Sequence, residues 1–225
     1  MHRLRVLLPN WDKLVDQVIN HHGYYASHWL DTLSVSITAC ILATVLAAVL
    51  ALLGLRYSSF YKLVSPMAAV SQSFPLQALG PVIIIVLGTG FSTKALIALT
   101  ITFFPIQSAI ATAFLDTPAQ YLMHSRVCRA DFLTTFFHVQ LPFALPRTIS
   151  AIKVGFTLSV IGAVVAEFIS PQGGIGEILL IAQSSFNIEA IYICLFILIV
   201  QGLSIYLVLS WLERRVASTR SITRT

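Results

Sequence analysis

Charge is what this sequence has least of. Only 10% of its 225 residues are Asp, Glu, Lys or Arg, against about 25% in soluble domains. So few charges cannot coat a water-exposed surface. With 57% hydrophobic residues and a mean hydropathy of +0.85, the chain reads as neither a soluble enzyme nor a disordered segment. A net charge of +5 is too small for a nucleic-acid-binding surface. Cysteine is scarce as well. Cys40, Cys128 and Cys194 stand far apart, which leaves neither a disulfide framework nor a paired-cysteine metal site. They read as small side chains in packed helices. The six histidines lack Cys or acidic partners at metal-binding spacing, so His21, His22 and His28 read as a solvated or interfacial cluster. No Ser/His/Asp set is credible, and no catalytic residue or metal ligand is assigned. The apolar runs are long and continuous, which excludes the alternating strands of an outer-membrane barrel.

What remains is an all-α membrane protein with about five transmembrane helices. The apolar stretch before Pro9 is too short for a signal peptide. From Asn10, a helix cap, Trp11, Leu14, Val15, Val18 and Ile19 recur at helical spacing opposite Asp12, Lys13, Asp16 and Gln17. This predicts an amphipathic helix on the membrane surface within an N-terminal segment, 1–30, that ends in the aromatics Tyr24, Tyr25 and Trp29. The transmembrane domain is expected over 31–215, with a tail at 216–225.

Leu33–Leu55 is uncharged and long enough to span, which takes about 20 residues. Ala43, Ala47 and Ala51, beside a ridge of Ser36, Cys40, Thr44 and Ala48, would let another helix approach closely. Residues 63–90 are uncharged but interrupted by Pro66, Pro75 and Pro81. They predict a broken segment whose Gln72, Ser73 and Gln77 face protein or a wet path. Gly88–Lys94 lacks the residues of a phosphate-binding loop and reads as a tight turn. Further spans follow at 95–115, containing Pro105, at 148–169 and at 190–212.

Lys and Arg favour the cytoplasmic face. Nine cations (Arg56, Lys62, Arg126, Arg129, Arg147, Arg214, Arg215, Arg220 and Arg224) fall on one set of loops and four (Arg3, Arg5, Lys13 and Lys94) on the other. The 116–147 loop and the C-terminus are therefore expected in the cytoplasm. Glu167 is the one acid inside an apolar run. It either lines a solute path or pairs with a neighbouring helix, or else it marks a helix end at the interface. Gln183 is a further polar candidate for the path. For these path residues, helix–helix hydrogen bonding is the competing role.

Val139-Gln-Leu-Pro142-Phe-Ala-Leu-Pro146 resembles the end of the cytoplasmic "EAA" loop of ABC-importer permeases. On that pattern Met123-His124-Ser125 stand in the Glu-Ala-Ala place, Arg129 in the glycine place and Val139 in the isoleucine place. Phe74-Pro-Leu-Gln-Ala-Leu-Gly-Pro81, Gly88-Thr-Gly90, Phe104-Pro105, Ala166-Glu167, Gly174-Ile-Gly176 and Leu212-Glu-Arg-Arg215 follow in the family's order. The likeness is strongest to the nitrate, sulfonate, taurine and thiamine-precursor branch.

The resemblance implies a type I permease bundle in a bacterial inner membrane. It implies a second permease copy, two cytoplasmic ATPase subunits that bind ATP and Mg²⁺, and an extracytoplasmic solute-binding protein. This chain itself would bind no cofactor and no nucleic acid. The coupling residues would be Met123, Ser125, Arg126, Arg129, Asp131, Phe132, Leu133, Leu141 and Pro142, in a short helix docked on the ATPase. A solvated charged loop is the competing reading. Leu141-Pro142 would end this lever and Pro146 would start the next span. Glycine at the loop's turn has positive φ in such a pattern, so Arg129 there would be strained. Against the family pattern the chain lacks a first span, as a reduced permease or an incomplete gene model would. The missing acid and glycine leave a second possibility, a non-transporting subunit with an assembly or regulatory role.

Overall fold

The computed structural model describes residues 9–57 and 76–221, with side chains for 9–57 and 78–215. Every regular element among them is helical. α1 runs Trp11–Arg56 and is followed, after residues outside the description, by a 3₁₀ turn at Leu76–Leu79. Next come α2 (Gly80–Leu87), α3 (Phe91–Leu115), α4 (Ala119–Val127) and α5 (Phe132–Thr135). A π turn, Phe136–Gln140, joins α5 to α6 (Leu141–Ile169). α7 (Ile175–Ser184) and α8 (Ile188–Ser221) complete the chain. Four stretches, Trp11–Arg56, Phe91–Leu115, Phe132–Ile169 and Ile188–Arg215, are long and apolar enough to cross a membrane. The expected broken span at 63–90 lies largely outside the described residues; its end is the 3₁₀ turn and α2.

Two boundaries differ from the sequence expectation. The surface helix and first span are one helix of 46 residues, in which His21 alone leaves helical geometry (φ −121°, ψ 21°). The polar first turns extend the apolar span because no Pro separates them, and an isolated Gly23 is tolerated inside a long helix. Leu141-Pro142 likewise does not end the lever. Pro142 lacks an N–H and crowds the carbonyl four residues earlier. The π turn immediately before it, where the Leu141 N–H reaches the Phe136 carbonyl, widens the backbone and lets α5 continue into α6. Thus Pro146 lies inside α6 rather than at its start.

The chain divides into two compact units. Among the described residues the first comprises 9–39, 76–101 and 156–204, and the second 40–57, 102–155 and 205–221. In the first unit Val35, Ala39, Ala98 and Ala163 form a cluster of small side chains. A Cβ on Gly162 would stand 3.0 Å from the Ala98 Cα, so α3 and α6 approach to backbone contact. A second cluster, Tyr25, Ile175, Ile178, Ile193 and Cys194, joins α1, α7 and α8. In the second unit Ala43, Ala47 and Ala51 are buried, as their four-residue spacing predicts. A Cβ on Gly155 would lie 2.1 Å from Ile106 Cδ1. Small residues do this work because lipid offers no hydrophobic drive for helices to associate, which leaves close packing to hold them.

Gly162→Leu should therefore lower the thermal midpoint in detergent by an overpacking cost of about 1–3 kcal/mol. Gly202→Leu, at a position where a Cβ meets nothing within 4 Å, should leave it within the range of an ordinary surface change. Equal effects of the two would mean that α3 and α6 do not touch at Gly162.

Candidate functional site

Asp116 to Arg147, the longest polar stretch, folds as a braced loop in the second unit. Arg147 pairs with Asp116 across its two ends. Inside it, α4 ends in a hydrogen-bonded reversal. The Arg129 N–H donates to the Arg126 carbonyl (3.0 Å) and the Ala130 N–H to the Ser125 carbonyl (3.0 Å). This is the Schellman arrangement, whose penultimate position takes a left-handed residue and usually holds glycine. Here it holds Arg129 at φ 52°. The strain expected from the sequence is present.

α5 then begins at Asp131, whose carboxylate accepts the Thr134 N–H at 3.2 Å. Hydrogen bonds from the Thr134 side chain and then its N–H hold the Asp131 carboxyl below the usual carboxylate range. This capping is therefore in force above the ordinary carboxylate pKa and is lost as pH falls through the depressed value. Phe136 is buried and stacks on Phe114 at 5.5 Å. Tyr121 meets Phe143 at 4.8 Å. Phe136 thus ties the loop to Phe114 of α3, while the Tyr121–Phe143 pair closes α4 onto the start of α6.

The outward side of the loop is different. Met123, Val127, Leu133 and Phe137 are all exposed. Phe132 is half-buried beneath the Arg56 guanidinium, 5.7 Å from its ring centroid. Val49, Leu52, Leu53, Arg56 and Tyr57 of the α1 end line an open groove of about 710 Å³ together with Asp131, Phe132 and Leu133. Of the remaining predicted coupling residues, Arg126 is exposed, Leu141 and Pro142 are half-buried, and Ser125 is buried with its hydroxyl on the Tyr121 carbonyl.

The predicted path residues do not assemble into one described site. Gln72 and Ser73 lie outside the described residues, as does the Gln77 side chain. Gln183 is exposed at the end of α7. Glu167 is fully buried in the first unit. The Thr32 hydroxyl donates to its two oxygens (2.9 and 3.1 Å), and the Gly176 N–H donates at 2.7 Å. Thr32 Oγ1 in turn accepts the Ile175 N–H at 2.7 Å. A carboxylate thus sits on the positive end of α7 and satisfies donors that the helix cannot satisfy itself. A Cβ on Gly174 would fall 2.1 Å from the Glu167 carboxyl carbon, and one on Gly176 2.8 Å from its Oε2. The glycines are required because the carboxylate occupies the space of their side chains.

Sequence reasoning missed Lys94. Placed in a turn, it is instead buried, and its ammonium donates to the carbonyls of Gln172 (2.8 Å) and Gly173 (3.1 Å). A single lysine beside an uncharged run was the available signal. Thr32 and Gln201, both buried, carried no signal beyond being polar in apolar surroundings.

The sequence matches the family described as "Binding-protein-dependent transport system inner membrane component" over residues 41–218. The chain belongs to this family. Among its relatives, a riboflavin transport system permease protein of Chloroflexus aurantiacus is 32% identical over 67% of this chain and 56% of that protein. This chain therefore spans little more than half the length of that relative. A probable ABC transporter permease of Haemophilus influenzae is 26% identical over 93% of this chain and 85% of its own length. A formylaminopyrimidine transport permease of Halalkalibacterium halodurans is 26% identical over 88% of this chain and 79% of its own. The fold is that of solved ABC-importer permeases. A chain of an inward-facing MetNI methionine ABC transporter superposes with a TM-score of 0.74 at 20% identity, covering 85% of this chain and 94% of that one. A chain of an amino acid ABC transporter does so with 0.73 at 17% identity, over 88% and 97%. In this chain α4 and α5 meet at a turn that holds Arg129 in the left-handed region.

Two outcomes follow. Arg129→Gly should stabilise the protein, because relief of left-handed strain of about 1–2 kcal/mol exceeds the roughly 0.5–1 kcal/mol entropic cost of glycine; a lowered thermal midpoint would contradict this. Glu167→Ala should destabilise by about 2 kcal/mol or more, since it strands the Gly176 N–H in the bundle interior. Amide exchange at Gly176 should quicken with it, and unchanged exchange would refute the capping role.

Proposed function

We propose that the chain is the membrane-spanning subunit of an ATP-driven importer and transmits ATPase motion through its 116–147 loop. The observation that carries the reading is the form of that loop. It is braced at its base by Arg147 and Asp116, anchored on the inside by Phe136 against Phe114, and apolar on the outside at Met123, Leu133 and Phe137. A short braced helix with an exposed apolar face is suited to seat in a groove of another protein, and its rigidity lets a pull at α5 reach α6 without being absorbed by the loop.

On this reading the loop and the C-terminus face the cytoplasm, in keeping with the excess of Lys and Arg on those loops. The membrane is a bacterial inner membrane. Two copies of this chain pair with two ATPase subunits, which hold ATP and Mg²⁺, while this chain holds no cofactor. A binding protein delivers solute from outside. Gln72, Ser73, Gln77 and Gln183 are proposed along the solute path, with Glu167 anchoring its wall. Riboflavin and formylaminopyrimidine, from the names of two relatives, are the first solutes to try.

The test is co-expression and purification with candidate ATPase and binding-protein subunits, followed by ATP hydrolysis with and without loaded binding protein in lipid nanodiscs. Stimulated hydrolysis is expected. Leu133→Asp should abolish co-purification of the ATPase while leaving the fold intact, because it places a charge on the docking face without touching Phe136. A stable complex without stimulation would instead make the chain a non-transporting subunit, as the replaced glycine of its loop would allow.

A further inference from the structure

An ion pair joins two of the membrane-spanning stretches. In the second unit the Lys153 ammonium of α6 donates to one carboxylate oxygen of Glu213 in α8, and the Ser150 hydroxyl donates to the other. The Tyr206 ring lies under the same ammonium, which is 5.3 Å from its centroid. Ser150 and Lys153 stand one turn apart, and Tyr206 and Glu213 two turns, so each pair occupies one face of its helix. The Lys153 and Glu213 side chains are only 13% and 25% exposed. A lysine near the end of a span ordinarily extends into water. This one is held against α8.

Stability does not explain the pair. A shielded ion pair contributes little that apolar side chains of similar volume would not, and its best attested use is to fix register. Register is what α6 and α8 otherwise lack. α8 is the span least covered by the rest of the chain: 17% of its most apolar stretch is buried, against 39–44% in the other three. In the first unit, Val160, Val164, Leu195, Ile199 and Gly202 of the same two helices line an open groove of about 430 Å³. A Cβ on Gly202 would meet nothing within 4 Å. Apolar faces resting on each other in lipid slide at little cost, since acyl chains replace any contact that is lost. A carboxylate with both oxygens bonded resists sliding. A shift of one turn, about 5.4 Å, would carry Glu213 away from Ser150 and Lys153 and leave charges unpaired in apolar surroundings.

Position gives this register a use. α5 passes through the π turn into α6, and Lys153 lies about three turns beyond Leu141. We infer that Lys153 and Glu213 are positioning residues for coupling: they lock α8 to α6, so that displacement of α6 by the 116–147 loop moves both helices together. The inference rests on the importer reading above.

The experiment compares the native chain, the apolar pair Lys153→Met with Glu213→Leu, and the reversed pair Lys153→Glu with Glu213→Lys, each as the complete complex in nanodiscs. The readouts are melting temperature and the stimulation of ATP hydrolysis by loaded binding protein. The apolar pair should melt as the native chain does and lose stimulation at least fivefold. The reversed pair should recover to within twofold of native, because the register contact is remade. Helix motion is read from spin labels at Val154 and Leu207, both exposed, in a chain whose Cys40, Cys128 and Cys194 are replaced by alanine. Their separation should stay constant when ATP is trapped with vanadate in the native pair, and should change in the apolar pair. Native stimulation in the apolar pair overturns the inference while the importer reading stands. A lower melting temperature of that pair assigns the contact to stability and also overturns it. So does a reversed pair as poorly stimulated as the apolar one, or a native label separation that changes on trapping. Absence of stimulation in the native complex overturns the importer reading and this inference together.

Discussion

A carboxylate can be buried at the end of an apolar helix only if donors surround it, and Glu167 dictates much of its unit through that requirement. Its donors come from α1 through Thr32 and from the first turn of α7 through Gly176. Three helices are thereby held at one point. The glycines at 174 and 176 follow from it, because any side chain there would overlap the carboxyl group. Lys94 adds a clamp on the same turn by taking up the carbonyls of Gln172 and Gly173. In a bilayer such arrangements are the condition for irregular backbone at all, since unpaired peptide groups have no water to turn to.

On the proposed coupling role, the second unit meets a mechanical requirement rather than a solvation one, since a loop that is to carry force must not unfold under it. The Arg147–Asp116 pair closes its base, although an exposed ion pair adds little stability by itself. The aromatic contact of Phe136 with Phe114 adds apolar burial, and the π turn passes α5 into α6 despite Pro142. π turns inside helices are often found at functional sites. Here one occupies the joint between the proposed docking helix and the span it would move.

Much of this was legible from residue order. The apolar runs marked the long helices, the alanine spacing marked a buried stripe, and the likeness to the EAA loop marked Arg129 as a strained turn residue. Other features were not. Proline was read as the end of the lever at 142 and as the start of the next span at 146, but a local widening of the backbone before Pro142 carries the helix through both. Lys94 was placed in a surface turn, because its acceptors are backbone carbonyls nearly eighty residues away that have no residue-type signature.

By itself, then, the sequence determined the medium and the broad architecture. Composition and run length decide whether a segment is more stable in lipid or in water, and that balance is a sum over many residues which neighbours cannot reverse. Only the tertiary structure decided what the few polar groups do. The same glutamate can line a path, end a helix or cap one. Which of these it does depends on whether a threonine from residue 32 and an N–H from residue 176 reach it, and that is set by how the helices pack.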